Sequence, residues 1–139
     1  MIRVVLDTNV IVSGLLAADS LPATILDLAL QGKIHAALSP AILAEMDKVL
    51  RRPRFAFEPR KIGSFVALFK SRSKFVSPKK TLSFCQDDPS DNRFLECAET
   101  AKAEFLVTGN KSHFPLRHMN TIVVTPREFW DAYLLRMTL

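Results

Sequence analysis

Short apolar runs alternate along this chain with longer stretches of helical periodicity. Arg3–Leu6 is a brief run rich in β-branched residues, and residues 34–38, Phe105–Val107 and 122–124 have the same buried-strand character. A further short strand is expected at 75–76. Between these runs the apolar spacing lengthens to that of helices. Residues 10–17 follow Asp7-Thr8-Asn9 and suit a short helix. Residues 23–30 follow Pro22, which is tolerated in a first helical turn, and Gln31-Gly32-Lys33 supplies a helix end. Ser39-Pro40 is a cap with a first-turn proline, which opens a helix over 41–51 that Pro53 ends. Pro59 opens another through Phe69, with Ile62, Phe65, Val66 and Phe69 as its buried stripe. Asp88-Pro89 repeats the cap-and-proline signal for a helix to Lys102, and Thr125-Pro126-Arg127-Glu128 has capping-box form before a helix over 128–135.

Buried strands alternating with helices predict an α/β fold, a parallel sheet with helices on both faces. Ligands in such folds sit beyond the carboxyl ends of the strands, which directs attention to the polar residues there. Asp7 follows the first strand and Asn110 follows Phe105–Val107. Asp7 is equally well placed to cap the next helix. Asp91 heads the stripe Asp91, Phe94, Leu95, Ala98, where an unpaired carboxylate is costly. It can bond back to the Asp88 cap and gain from the helix dipole, and a dipole-stabilised acid at the head of a buried stripe is also well placed to hold a cation. Asp88 reads mainly as a cap and Asp87 as a solvated or outer residue. Glu45 borders the apolar stripe Ile42, Met46, Val49, and alone it reads as a boundary residue; Asp47 and Lys48 fall on the solvated side. Together Asp7, Glu45 and Asp91 form an oxygen-only set, the kind preferred by Mg²⁺ or Mn²⁺ and used in metal-assisted phosphodiester hydrolysis.

The charge sharpens this picture. The 139 residues carry a net charge of +5, but residues 51–80 alone hold ten basic residues and one acid, which leaves the remainder at −4. Half of the ten Phe lie in that segment. Basic residues among aromatics suit single-stranded nucleic acid; Phe65 and Phe69 read as core, and Phe55 and Phe57 stay open. Arg51, Arg52, Arg54 and, further on, Lys111 are the candidate nucleic-acid contacts. The length fits one domain over 1–139. No run is long enough to span a membrane and the N-terminus is charged too early for a signal peptide, so a cytoplasmic protein is expected. Cys85 and Cys97 with three scattered His give no zinc spacing and read as structural or incidental. With four Gly there is no phosphate-cradling loop. The apolar stretches 11–16 and 23–30 could meet a partner, although core packing accounts better for most of them.

Four segments in order also resemble a known family: Val4-Val5-Leu6-Asp7-Thr8-Asn9-Val10; Ser39-Pro40 with Leu43-Ala44-Glu45; Asp88-Pro89-Ser90-Asp91-Asn92-Arg93-Phe94-Leu95; and Leu106-Val107-Thr108-Gly109-Asn110-Lys111. The closing Val124-Thr125-Pro126-Arg127-Glu128-Phe129 fits as well. The chain resembles PIN domains, in particular the VapC-like toxins of prokaryotic toxin–antitoxin pairs. The resemblance implies a three-layer α/β/α sandwich with a central, mostly parallel sheet. It also implies a Mg²⁺- or Mn²⁺-dependent ribonuclease that cleaves RNA, is commonly a homodimer and is silenced by a cognate antitoxin. On this resemblance Asp7, Glu45 and Asp91 correspond to three metal-binding and catalytic acids and Asn9 to a residue that orders the site. The family's fourth acid follows the Thr-Gly pair, where this chain has Asn110. Asn keeps an oxygen but loses a charge, so reduced activity is expected, with Asp88 as a possible source of compensating charge. The alternative is a nucleic-acid- or antitoxin-binding module with a vestigial site.

Overall fold

A computed structural model describes residues 1–85 and 88–139. Asp87 therefore lies outside the described residues. The first strand, β1 (Arg3–Leu6), runs into α1 (Thr8–Leu16) through Asp7. Next come α2 (Leu21–Leu30), β2 (His35–Leu38), α3 (Pro40–Leu50), α4 (Pro59–Ser71) and the two-residue β3 (Lys74–Phe75). The second half holds α5 (Asn92–Ala101), β4 (Phe105–Val107), β5 (Arg117–His118), β6 (Thr121–Val124) and α6 (Pro126–Thr138). Short 3₁₀ turns occupy Pro53–Phe55, Pro89–Asp91 and Lys111–His113.

The local chemistry explains most of these boundaries. Ser20, Ser39 and Thr125 each accept a backbone N–H at a helix start, and each is followed by a proline in the first turn. Thr125 and Glu128 bond reciprocally, so the expected capping box is formed. Gly32 follows the end of α2 with φ +74°, a conformation that favours a residue without Cβ. Gly14 serves packing instead. A Cβ there would stand 3.1 Å from the backbone of Pro22 and Ala23, so its absence lets α1 and α2 approach closely.

The strands form one six-stranded sheet in the order β3-β2-β1-β4-β6-β5, parallel except for the β5–β6 pair. Six helices flank it, giving the three-layer α/β/α arrangement expected. The central strands are buried along most of their length, because both faces are covered. On the helix side, Ile62 and Phe69 of α4 are buried, and Phe65 and Val66 pack half-buried beside them. Phe65 and Phe69 stack at 5.7 Å. Most of the apolar stretches at 11–16 and 23–30 are core as well. Cys85 and Cys97 are free, buried thiols. Burial pushes the Cys85 thiol up to about 11 and the Cys97 thiol up to about 12, so neither is a ready nucleophile. Among the described residues no single helix is long and apolar enough to cross a membrane.

The strand order places the candidate chemistry. The chain builds outward from β1 through β2 to β3, then returns to the other side of β1 with β4. The order thus reverses between β1 and β4, and a doubly wound sheet opens a crevice at the carboxyl ends of such a pair. Leu6 and Val107 are aligned there, with Asp7 and Thr108 next in line.

Candidate functional site

A cleft of about 450 Å³ opens at this reversal point. Asp7, Glu45, Asp88 and Asp91 line it together with Asn9, Asn110, Arg52, Arg54, Phe55 and His113. The β1 end, α3 and the turn after it, the turn entering α5, and the segment after β4 meet here.

Asp7 is buried, and two ties hold it. Its backbone N–H donates to the Val107 carbonyl at 2.9 Å, and the Thr108 hydroxyl donates to its Oδ2 at 2.7 Å. Its Oδ1 accepts a long 3.5 Å contact from the Asn9 N–H, so Asp7 is a helix cap and a cleft wall at once. Burial raises the Asp7 carboxyl to about 6; the Thr108 bond opposes the rise, and the charges of Asp91 and Glu45 add to it. Asn9 Oδ1 accepts from the Gly109 N–H at 3.2 Å, which links the loops after β1 and β4.

Glu45 is half-buried on α3, and its Oε2 accepts from the Thr8 hydroxyl at 2.9 Å. The boundary reading was right about its position, while the Thr8 bond turns it toward the cleft. Asp91 is buried at the head of a stripe in which Phe94, Leu95 and Ala98 are buried. Its side chain makes no cap hydrogen bond; the backbone N–H of Asp91 bonds the Asp88 carbonyl at 3.0 Å instead. The carboxylate faces His113, with Nδ1 3.4 Å from Oδ2. Burial raises the Asp91 carboxyl, the charge of Asp88 adds to that, and His113 counteracts both. Asp88 is the cap expected, accepting from the Ser90 N–H at 3.1 Å.

Asn110 lines the cleft, and its N–H donates to the Thr108 hydroxyl at 3.0 Å. Thr108 thus spans Asn110 and Asp7. Sequence reasoning missed Thr8, Thr108 and His113. Thr8 follows Asp7 and Thr108 directly follows β4, and that closeness to strand ends was the available signal. His113 had none, because its meeting with Asp91 depends on the 3₁₀ turn after β4.

The basic segment divides. Arg52 and Arg54 line the cleft, whereas Arg51, which caps the end of α3, pairs with Asp47 at 3.1 Å. Lys111 donates to both Glu128 oxygens, at 2.9 and 3.0 Å. Lys80 lies elsewhere, bonded to Glu99 at 3.2 Å.

The donor chemistry fits a hard divalent cation: several carboxylates, an amide oxygen and no thiolate face one cleft. Burial is the first cause of the raised Asp7 and Asp91 carboxyls and the charge of neighbouring acids a further one, and a cation in the cleft would oppose both. Among the described residues, no three His, Cys, Asp or Glu side chains stand close enough to ligate one ion as they are placed. Side-chain rotation would have to bring the acids together.

Comparison with known proteins gives the same fold. The chain is 32% identical over 144 residues to an uncharacterized protein of Methanocaldococcus jannaschii, covering 95% of this chain and 92% of the relative. The crystal structure of VapBC2 from Rickettsia felis, bound to a DNA fragment from their promoter, matches with a TM-score of 0.57 at 17% identity. That match covers 89% of this chain and 98% of that one. The PIN domain family matches residues 3–112, a span that takes in Asp7, Glu45, Asp91 and Asn110. The chain belongs to the PIN-domain family.

Proposed function

We propose that this protein is a Mg²⁺- or Mn²⁺-dependent endoribonuclease that hydrolyses single-stranded RNA, the toxin half of a toxin–antitoxin pair. The observation that carries the reading is the meeting of Asp7, Glu45 and Asp91 in one cleft at the β1/β4 reversal, with Arg52 and Arg54 on its wall. Asp7, Glu45 and Asp91 are the residues that would hold the cation. When bound, the cation supplies Lewis acidity at the phosphate and lowers the pKa of water. Thr108 and Thr8 fix the orientations of Asp7 and Glu45, Asn9 ties the two loops, and His113 steadies Asp91. Arg52 and Arg54 offer charge to the RNA backbone. Family membership supports a nuclease, and the likeness to a VapBC2 complex supports an antitoxin partner. A homodimer, a cytoplasmic location and one domain over 1–139 complete the proposal. Expression is expected to arrest growth, and co-expression of the protein encoded beside it to relieve the arrest. Unimpaired growth with RNA left intact contradicts the toxin reading.

Asn110 favours a second reading, a binding module with a weakened site. It stands where the resemblance places a fourth acid. Asn110→Asp restores a charge in the cleft and is expected to raise Mn²⁺ affinity and cleavage rate, each by roughly 10-fold. Calorimetric titration and a cleavage assay check this. Unchanged values remove Asn110 from the ligand set. Cleavage that appears only in Asn110→Asp supports the second reading.

A further inference from the structure

The turn after α3 places an aromatic ring and an arginine in the same cleft as the acids, and the ribonuclease reading gives them no role beyond charge. Arg52, Arg54 and Phe55 all line the cleft. Phe55 is half-buried, and its ring stacks on Phe57 with centroids 5.9 Å apart. The Arg54 guanidinium carbon stands 4.8 Å from the Phe55 ring centroid. Phe57 is the anchor of this group. It lines an adjoining apolar recess with Leu15, Leu50, Ile62 and Phe65.

The backbone holds the group firmly. The Arg52 N–H bonds the Val49 carbonyl at 3.1 Å, the Phe55 N–H bonds Arg52 at 3.1 Å, and the Ala56 N–H bonds Pro53 at 3.0 Å. Ala56, between the two rings in sequence, turns left-handed at φ 53°. A ring that served only the core would not need to share a wall with four carboxylates and two arginines.

We propose that Phe55, with Arg54, is a stacking platform for one unpaired nucleobase of the RNA strand whose phosphate lies at the acids. The inference rests on the ribonuclease reading and names how that site selects single strands. An aromatic face and a guanidinium plane both accept a base by stacking, with little regard to its identity. In a duplex the bases already stack on one another, so the platform has nothing to receive. The acids and arginines act on the backbone, and Phe55 requires the base to be free.

The test is made in an Asp7→Asn background, so that the strand is not cut while binding is measured. Fluorescence anisotropy follows a short labelled single-stranded RNA, the same strand with abasic sites, and its duplex. Phe55→Leu keeps apolar bulk and removes the aromatic face, and Phe55→Trp restores a face. Adding Phe55→Leu is expected to weaken binding of the intact single strand by roughly 10-fold and to leave the abasic strand and the duplex unchanged. Phe55→Trp is expected to bind the intact strand as the parent does. Equal binding of the intact strand by the parent and Phe55→Leu overturns the platform alone. An equal loss on intact and abasic strands does the same, by showing a structural effect. A parent that binds none of the strands overturns the platform and the ribonuclease reading together.

Discussion

In the presence of a chelator at pH 7, Asp7→Asn is expected to melt higher than the wild type by roughly 5–10 °C. The Asp7 carboxyl stands at about 6 in the fold, above its ordinary value of 3.8, with burial as the first cause. A carboxyl raised on folding binds its proton more tightly in the native state. Its contribution is therefore favourable below the unfolded value and is lost as pH rises through about 6. At pH 7 the ionised, buried Asp7 costs on the order of 2–3 kcal/mol. Asparagine carries no charge, and its amide oxygen can still accept from the Thr108 hydroxyl. At pH 4 the difference between the two proteins should shrink toward zero, because Asp7 is then protonated in the fold. Comparing the pair isolates this residue from Glu99, Glu104 and Glu128, whose carboxyls are lowered by their own partners. Adding Mn²⁺ at pH 7 should raise the wild-type midpoint and leave Asp7→Asn nearly unmoved, since a ligand stabilises only the fold that binds it. Scanning calorimetry at the two pH values checks each part. Parallel pH profiles for the two proteins would show that Asp7 is not the strained acid of the cleft.

The parts of the fold written in local pattern were legible in advance. β1 and β4 match their predicted limits, as apolar runs buried on both faces do. The capping box at Thr125 and Glu128 formed as read, although α6 begins at Pro126 and continues to Thr138. β5 was missed. It is a two-residue edge strand, Arg117–His118, that exists through its antiparallel pairing with β6 and carries no pattern of its own. The helix expected from Asp88-Pro89 begins with a 3₁₀ turn, and α5 proper starts at Asn92.

The site followed the same division. Asp7 and Asn110 were visible because strand ends are local features, and Asp91 because a carboxylate broke an apolar stripe. Glu45 read alone as an ordinary boundary residue. The Thr8 bond that turns it inward joins positions 37 residues apart. The basic residues divide by the partner each side chain meets. Charge summed along a segment ignores which face each side chain takes and which acid it meets. Arg51, just past the end of α3, pairs with Asp47 one turn back, and Lys111 meets Glu128 in the first turn of α6, while Arg52 and Arg54 line the cleft.

The larger effect of Asp7→Asn is on chemistry. Asp7 sits at the β1/β4 reversal with one oxygen held by Thr108 and the other turned to a loose backbone contact. It is thereby the acid most fixed in place by the sheet itself. Glu45 and Asp91 reach the cleft from helical segments and depend on Thr8 and His113 for orientation. Asp7→Asn removes the charge of one of three proposed ligands and leaves a weaker amide oxygen, while the fold is expected to gain stability. A loss of activity can then not be ascribed to unfolding. Cleavage of single-stranded RNA by purified wild type and Asp7→Asn, each with Mn²⁺ and with excess chelator, is the most direct measurement. The wild type should cut with Mn²⁺, stop with chelator and resume when Mn²⁺ is restored, while Asp7→Asn falls by on the order of 10²-fold or more. Cleavage that persists in Asp7→Asn, or that proceeds equally with chelator, would contradict a cation held by the acids of this cleft.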